Sequence, residues 1–191
     1  MHERLFDYIN NYASTPLNEE EKAIIEATFQ PKSLRKRQYF LQEGDVCKYG
    51  GFLVKGAMRQ YTVDDKGVEH MVQLFIENYW VSDRESMSML TPSIYNIDAW
   101  EDSDLLIATR AGFFDLRKRV PSFAETLTVM DERHAIASQR RLNSTLSNSA
   151  EKRYEEFAGT YPHFIQRFPQ HLIASVLGIT KETLSRIRKP R

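Results

Sequence analysis

Near the C-terminus, Glu182, Ser185, Arg186 and Lys189 fall at i, i+3, i+4 and i+7, the spacing that lines polar side chains along one helix face. Such a set can read nucleic-acid bases: Arg186 can fork to guanine O6 and N7, and Glu182 can accept from cytosine N4. Lys181, Arg188 and Lys189 flank this face, where phosphates would lie. The same residues could also be an ordinary solvated helix surface, so the context must decide. Upstream, Pro169 suits the first position of a preceding helix, and Ile173, Val176 and Leu177 give that helix an apolar face. Ala174 is small enough to let a second helix cross closely. Gly178 supplies the positive φ of a tight inter-helix turn, Ile179 plugs the corner and Thr180 can cap the second helix, whose Leu184 and Ile187 face inward. The segment from Phe168 to Pro190 reads as a helix-turn-helix.

Other chemistries find little support. The single Cys47 cannot make an internal disulfide, a structural zinc site or a four-thiolate cluster. A metal-dependent barrel enzyme of the cupin type needs two or three histidines near carboxylates, yet the β-rich part offers only His70. His2, His134, His163 and His171 lie at the N-terminus or on helical stretches. No nucleophile triad or glycine-rich phosphate loop stands out.

The 191 residues carry 26 Lys+Arg against 26 Asp+Glu, a formal charge of zero that hides an asymmetry. Residues 180–191 hold Lys181, Arg186, Arg188, Lys189 and Arg191 against Glu182 alone, a net of +4. Residues 76–105 hold seven acids against Arg84, a net of −6, and residues 1–31 have a net of −4. A small basic module with an acidic body is the pattern expected of a chain that presents one end to a polyanion. No run approaches the roughly 18 apolar residues of a membrane span, and Glu3, Arg4 and Asp7 occupy the place of a leader's apolar core. A cytoplasmic protein is expected.

These modules need a scaffold. Residues 18–29 predict a short helix. From about Lys32 the texture turns β-favouring: 38–41, 52–54, 58–63, 70–76 and 105–109 are apolar runs set off by turn residues, an antiparallel barrel or sandwich. From Pro121 the chain runs some 25 residues without Gly or Pro, a long helix on which Phe123, Leu127, Met130, His134, Ala137 and Arg141 recur at alternating four and three residues. That seam predicts a two-helix dimer contact, with packing on the chain's own barrel as the alternative. Ser147-Asn148-Ser149 offers a stop and a new cap, and a further helix is expected to end at Gly159.

The C-terminal residues resemble the Crp/Fnr family of bacterial transcription regulators. In that family the recognition helix opens with a Ser-Arg-Glu-Thr-x-x-Arg pattern, and Thr180, Lys181, Glu182, Thr183 and Arg186 stand at those places. The resemblance implies base reading by Lys181, Glu182 and Arg186, with Thr180 and Thr183 near the backbone. Lys181 stands for an arginine and lacks its planar fork. More loosely, residues 32–145 are similar too, through the Gly44-Asp45 turn, the Phe52–Gly56 strand and the long helix. The implied fold is α+β: a cyclic-nucleotide-binding-like double-stranded β-helix over 1–120, a dimerisation helix over 121–147 and a helix-turn-helix domain over 148–191, with the family's β-hairpin wing shortened or absent. The implied partners are double-stranded DNA, a second copy of the chain, RNA polymerase and an unidentified small-molecule effector; no cofactor is expected.

In the family's cyclic-nucleotide barrels a Gly-Glu pair holds the ribose and an Arg-Ser or Arg-Thr pair holds the phosphate. Here Val81 and Ser82 stand at the first place and Ser93 and Ile94 at the second. The candidate effector pocket is therefore Trp80, Val81, Ser82, Arg84, Ser93 and Ile94, with Arg84 the one nearby cation. Flanked by Asp83 and Glu85, Arg84 also suits a surface ion pair. Trp80, Tyr79, Tyr95 and Trp100 could line such a pocket or be plain core. The reading is a non-catalytic regulator binding a pseudo-palindromic operator without cyclic AMP. Its alternatives are a cyclic-nucleotide-dependent regulator with an altered pocket and the cupin-like enzyme.

Overall fold

The structure is a computed structural model describing residues 1–188. Lys189, one of the expected DNA-facing residues, lies outside the described residues. The chain opens with two helices, α1 (His2–Asn10) and α2 (Glu19–Thr28). The second begins in a reciprocal cap, Asn18 Oδ1 accepting from the Glu21 amide at 2.9 Å and Glu21 Oε2 from the Asn18 amide at 3.0 Å. Strands β1 (Gln30–Leu34), β2 (Tyr39–Leu41), β3 (Tyr49–Lys55), β4 (Met58–Val63), β5 (Glu69–Phe75) and β6 (Trp80–Val81) follow, then α3 (Arg84–Met89), β7 (Asn96–Ala99) and β8 (Ser103–Thr109).

The strands form two antiparallel four-stranded sheets, ordered β1-β8-β3-β6 and β2-β7-β4-β5. Leu34, Leu53, Val81 and Leu105 from the first sheet and Leu41, Met58, Phe75 and Ile97 from the second share one buried cluster, so the inner faces of both sheets make the central core. Strand β4 occupies the six residues expected of it because turns bracket it on both sides. At the preceding turn Gly56 has φ +103°, and a Cβ there would meet Ser103 Oγ at 2.3 Å and the Asp102 carbonyl at 2.6 Å, so only glycine fits.

Helices α4 (Arg110–Arg119) and α5 (Pro121–Ser147) continue the chain. Leu5, Phe6, Ile9, Ile25, Phe29, Leu116, Phe123 and Leu127 pack with Phe52, Leu106 and Ala108 of the first sheet in a second core. This corrects the seam expected on α5. Phe123 is fully buried and Leu127 nearly so within their own chain, and Met130 packs beside them, its sulfur accepting from the Tyr8 hydroxyl at 2.7 Å. Each such burial is worth about 1.5–3 kcal/mol, a drive the chain's own sheet satisfies first. Beyond Met130 the helix is different: Ile136, Leu142 and Leu146 are 49%, 61% and 78% exposed.

Four helices close the described chain: α6 (Ala150–Thr160), α7 (Pro162–Arg167), α8 (Gln170–Val176) and α9 (Lys181–Ile187). Ser149 caps α6, which runs through Gly159 rather than stopping there. Pro169 is the residue before α8, not its first residue, and uses an extended conformation with ψ 155°. Phe164, Phe168, Leu172, Ile173, Ala174, Leu177 and Leu184 form a third core together with Ala57, Tyr61, Met71 and Leu74. The C-terminal helices therefore sit on residues of β4 and β5. Among the described residues no helix is long and apolar enough to cross a membrane.

Candidate nucleic-acid interface

The turn between α8 and α9 is built from short-range hydrogen bonds that the sequence dictates. The Ile179 amide donates to the Ala174 carbonyl and the Gly178 amide to the Ser175 carbonyl, both at 3.0 Å, with Gly178 at φ +64°. This 6→1 and 5→2 pair is a Schellman motif, which needs a left-handed residue where glycine stands. Thr180 then caps α9, its Oγ1 accepting from the Thr183 amide at 3.1 Å. Ala174 is 1% exposed and Leu184 is likewise buried, so the two helices cross closely and α9 is fixed in rotation about its axis.

That rotation decides what α9 shows to solvent. Lys181, Glu182, Ser185 and Arg186 are exposed, as is Arg188 just past the helix end, while Thr183 and Ile187 are half-buried. None of the exposed five is held in an ion pair among the described residues, so two guanidinium groups, an ammonium, a carboxylate and a hydroxyl are free to meet a ligand. Thr180 and Thr183 are partly engaged with each other, hydroxyl to hydroxyl at 3.0 Å.

The helices that carry this face are anchored to the sheets by polar contacts that local sequence does not announce. Arg167, at the end of α7, forks to both Glu77 oxygens (2.7 and 3.1 Å) and meets Glu101 through Nε and Nη2 (2.7–3.2 Å). Both carboxylates hold the guanidinium proton, raising the Arg167 pKa still further. Burial by itself would raise Glu77, but the Arg167 fork and the Gly56 amide outweigh it and lower its pKa. Strand β5 is the edge of its sheet, and its free groups are used: the Met71 amide donates to Ser175 Oγ of α8 at 2.9 Å, and the Val72 carbonyl accepts from Arg141 of α5 at 2.5 Å.

The candidate effector residues divide. Trp80, Val81, Ser82 and Arg84 line an open cleft of about 1540 Å³ between the sheets, α5 and the C-terminal helices. Ser93 and Ile94 stand apart from it: Ser93 is buried with Oγ donating to Asp83 at 2.7 Å, and Ile94 is 60% exposed. Asp83 in turn caps α3, accepting from the Glu85 and Ser86 amides. Arg84 pairs with Asp131 of α5 at 2.8 Å on the surface. His134 and Arg141 face the same cleft, and burial, then Arg84 and Arg141, lower the His134 pKa. Of the four aromatic residues, Trp80 stacks within the core among Tyr8, Phe29, Phe52, Phe113 and Phe123, whereas Tyr79 meets Phe164 and Trp100 meets His171. Tyr95 is half-buried at the cleft wall. Among the described residues no three His, Cys, Asp or Glu side chains converge to hold a metal ion.

No protein-family model matches the sequence, and no curated protein matches it either. Solved structures do. The catabolite activator protein of Thermus thermophilus is 21% identical with a TM-score of 0.58, covering 90% of this chain and 82% of that one. FixK2 of Bradyrhizobium japonicum is 18% identical with a TM-score of 0.67 over 83% and 82%. A Eubacterium rectale protein classed in the Crp/Fnr family is 18% identical with a TM-score of 0.63 over 90% and 82%. Paired antiparallel sheets, a long helix and a C-terminal helix-turn-helix thus compose a chain with the Crp/Fnr fold.

Proposed function

We propose that this protein is a DNA-binding transcription regulator that acts as a homodimer on a pseudo-palindromic operator. The observation that carries the reading is the outward face of α9: a capped, rotationally fixed helix presenting Lys181, Glu182, Ser185 and Arg186, unpaired, to solvent. In the major groove Arg186 would fork to a guanine and Glu182 accept from a cytosine, with Lys181 and Arg188 on phosphates. The division into a sensor part (1–120), a dimerisation helix (121–147) and a DNA-binding part (148–191) belongs to the same proposal, as do a cytoplasmic location, RNA polymerase as a partner and the lack of catalytic activity.

Dimerisation is placed on the second half of α5. A helix of 27 residues spans about 40 Å at ~1.5 Å per residue, and its last turns carry Ile136, Leu142 and Leu146 exposed. A second copy of the same helix would cover them and bring two α9 helices to successive major grooves about one helical turn apart. The cleft beside Arg84, His134 and Arg141 is where a signal would enter, and that signal is not cyclic AMP: Val81 is buried, Ser93 is spent on Asp83, and Arg84 is held by Asp131.

Selection of bound fragments from random duplex DNA tests the reading. An enriched palindrome is expected, and Arg186→Ala should lose about 1–3 kcal/mol at one base pair per half-site while relaxing preference there. A uniform loss across all sequences would remove Arg186 from base reading, and no enrichment at all would overturn the function.

A further inference from the structure

Tyr8, Tyr12, Tyr79 and Tyr161 all line the large cleft, although they come from distant parts of the chain. Tyr8 lies on α1 and Tyr12 two residues past its end, Tyr79 immediately precedes β6, and Tyr161 is the single residue between α6 and α7. Ring contacts join Tyr8 to Tyr12 at 5.0 Å between centroids, and Tyr79 to Tyr161 through Phe164 at 5.7 and 5.5 Å. The two groups are close enough to act on each other. Burial, then Tyr161 and Tyr12, push the Tyr79 pKa up to about 12. Tyr79 is also fixed through its backbone, its carbonyl accepting from the Leu53 amide at 2.9 Å and its amide donating to the Ile76 carbonyl at 3.2 Å. Beside it, Asn78 Oδ1 accepts from Arg4 Nε of α1 at 3.0 Å, which ties this turn to the first helix.

A buried phenol usually finds a hydrogen-bond partner. Here only Tyr8 donates, and its acceptor is the Met130 sulfur at 2.7 Å, a weak one. The half-buried Tyr12, Tyr79 and Tyr161 make no hydroxyl hydrogen bond among the described residues. A cation stands with them. The Arg133 guanidinium lies 4.9 Å over the Tyr12 ring and has no ion pair among the described residues. Burial, then Tyr12, raise the Tyr8 pKa, against the Trp80 indole and Arg133. Six arginines line the cleft against four acids, so positive charge is in excess there. Three of those acids are engaged already, Asp131 by Arg84, Asp83 by Ser93, and Glu156 by Ser144 and Asn148. The unengaged groups are therefore donors and a cation, and their complement is an anion. The wall beside them is aromatic: Phe164 stacks on Phe157 and on Tyr161 at interplanar angles of 23° and 29°.

We propose that the cleft binds a planar aromatic carboxylate, its charge on Arg133 and the tyrosine hydroxyls and its ring against the wall of Tyr79, Tyr161 and Phe164. A carboxylate matches the planar fork of one guanidinium and keeps lone pairs for phenolic donors. A phosphate dianion asks for a second cation, and the next one on this face of α5, Arg140, is seven residues or about 10 Å further along. Val81, Ser82, Ser93 and Ile94, which stand at the family's nucleotide positions, take no part. The proposal names the class of signal and rests, for any effect on DNA, on the reading of the cleft as the place where a signal acts. Tyr161 joins α6 to α7, so a ligand held there bears on the helices that carry α9.

Calorimetric titration of the full chain, without DNA, tests the site with benzoate, 1-naphthoate and indole-3-acetate. At least one is expected to bind with a Kd below about 1 mM. Its primary amide, which keeps the ring and loses the charge, should bind about tenfold more weakly. Octanoate, charged but without a ring, should bind about two- to tenfold more weakly than 1-naphthoate. Arg133→Gln should weaken the acid about tenfold and leave the amide unchanged, a split that a merely structural loss does not give. Tyr79→Phe with Tyr161→Phe keeps both rings and should weaken the acid about fivefold. Arg140→Gln removes one charge from the same helix face and should change neither ligand. Arg133 and Arg140 are both exposed, and thermal melts check that all variants remain folded. Absence of heat with all three acids at about 5 mM, equal binding of acid and amide, an unaffected tyrosine pair, or equal losses in Arg133→Gln and Arg140→Gln overturns the proposal. Octanoate binding as tightly as 1-naphthoate overturns its aromatic part. Because no DNA enters the titration, a chain that binds the acid as described but selects no operator retains this site and loses only the function reading.

Discussion

Arg167→Met isolates the forks that tie the C-terminal helices to the sheets. The guanidinium makes five hydrogen bonds to Glu77 and Glu101, and the three side chains are 30%, 20% and 37% exposed. At an effective dielectric near 20, a pair about 4 Å apart has a gross attraction of about 4 kcal/mol, much of it cancelled by desolvation and side-chain ordering. The better shielded Glu77 fork should retain about 2 kcal/mol, and the more exposed Glu101 contact less than about 1 kcal/mol. The variant should therefore lose about 2–3 kcal/mol at the junction, roughly a 30- to 150-fold change in its opening equilibrium. The protein's two tryptophans divide the readout: Trp100 lies against His171 at the junction, and Trp80 lies in the N-terminal core. Urea unfolding followed by Trp100 fluorescence in a Trp80→Phe background measures the loss. A shift below about 0.5 kcal/mol would mean that the forks are solvated equivalents of surface pairs and that the apolar contacts alone hold the helices.

Acid should act on the same junction. Glu77 is lowered in the folded chain, so folding binds fewer protons there than unfolding. Its contribution is present above the unfolded glutamate value of about 4.3 and is lost as pH falls through the lower folded value. Wild type should lose junction stability on acidification below that point, and Arg167→Met should lose less over the same range.

His134 should set a second, milder pH dependence. Its lowered pKa makes the unfolded chain the better proton binder, so stability should fall as pH drops below about 6.5, and His134→Gln should flatten that slope in thermal melts. Ile136→Glu with Leu142→Glu should give a folded monomer by sedimentation, whereas Leu127→Glu should unfold the chain; a dimer surviving the first pair would move the interface off this half of α5. Calorimetry with cyclic AMP at millimolar concentration, about the weak end of specific binding, should show no heat. Micromolar binding abolished by Arg84→Ala would make Arg84 the phosphate clamp.

What could be read from the residues follows the range of the interactions that make them. The α8–α9 turn was legible because Gly178, Thr180 and Ala174 act on partners within five residues, and β4 because its turns flank it directly. Helix α1 places Leu5, Phe6, Tyr8 and Ile9 on one helical face, but its nine residues are too few for that periodicity to stand out beside Glu3, Arg4 and Asp7. Strand β1, Gln-Pro-Lys-Ser-Leu with four of five residues exposed, belongs to its sheet through backbone pairing with β8, which leaves no side-chain pattern. Helix α4 buries only Leu116 and so has almost no periodicity.

The seam on α5 shows a different limit. Heptad spacing says that a stripe will be buried but not against what, and Phe123 and Leu127 found the nearest apolar surface, their own sheet. The change of character was in the sequence: the stripe turns polar at His134 and Arg141, where the helix passes the cleft, while Ile136, Leu142 and Leu146 fall on another line. Arg167 had no local signal whatever, because its carboxylates are 90 and 66 residues away. Residues that build an element announce themselves by spacing, whereas residues that join two elements are ordinary in their own segments and acquire meaning only when the fold supplies the partner. The position of the helix-turn-helix on the body is a property of such joints.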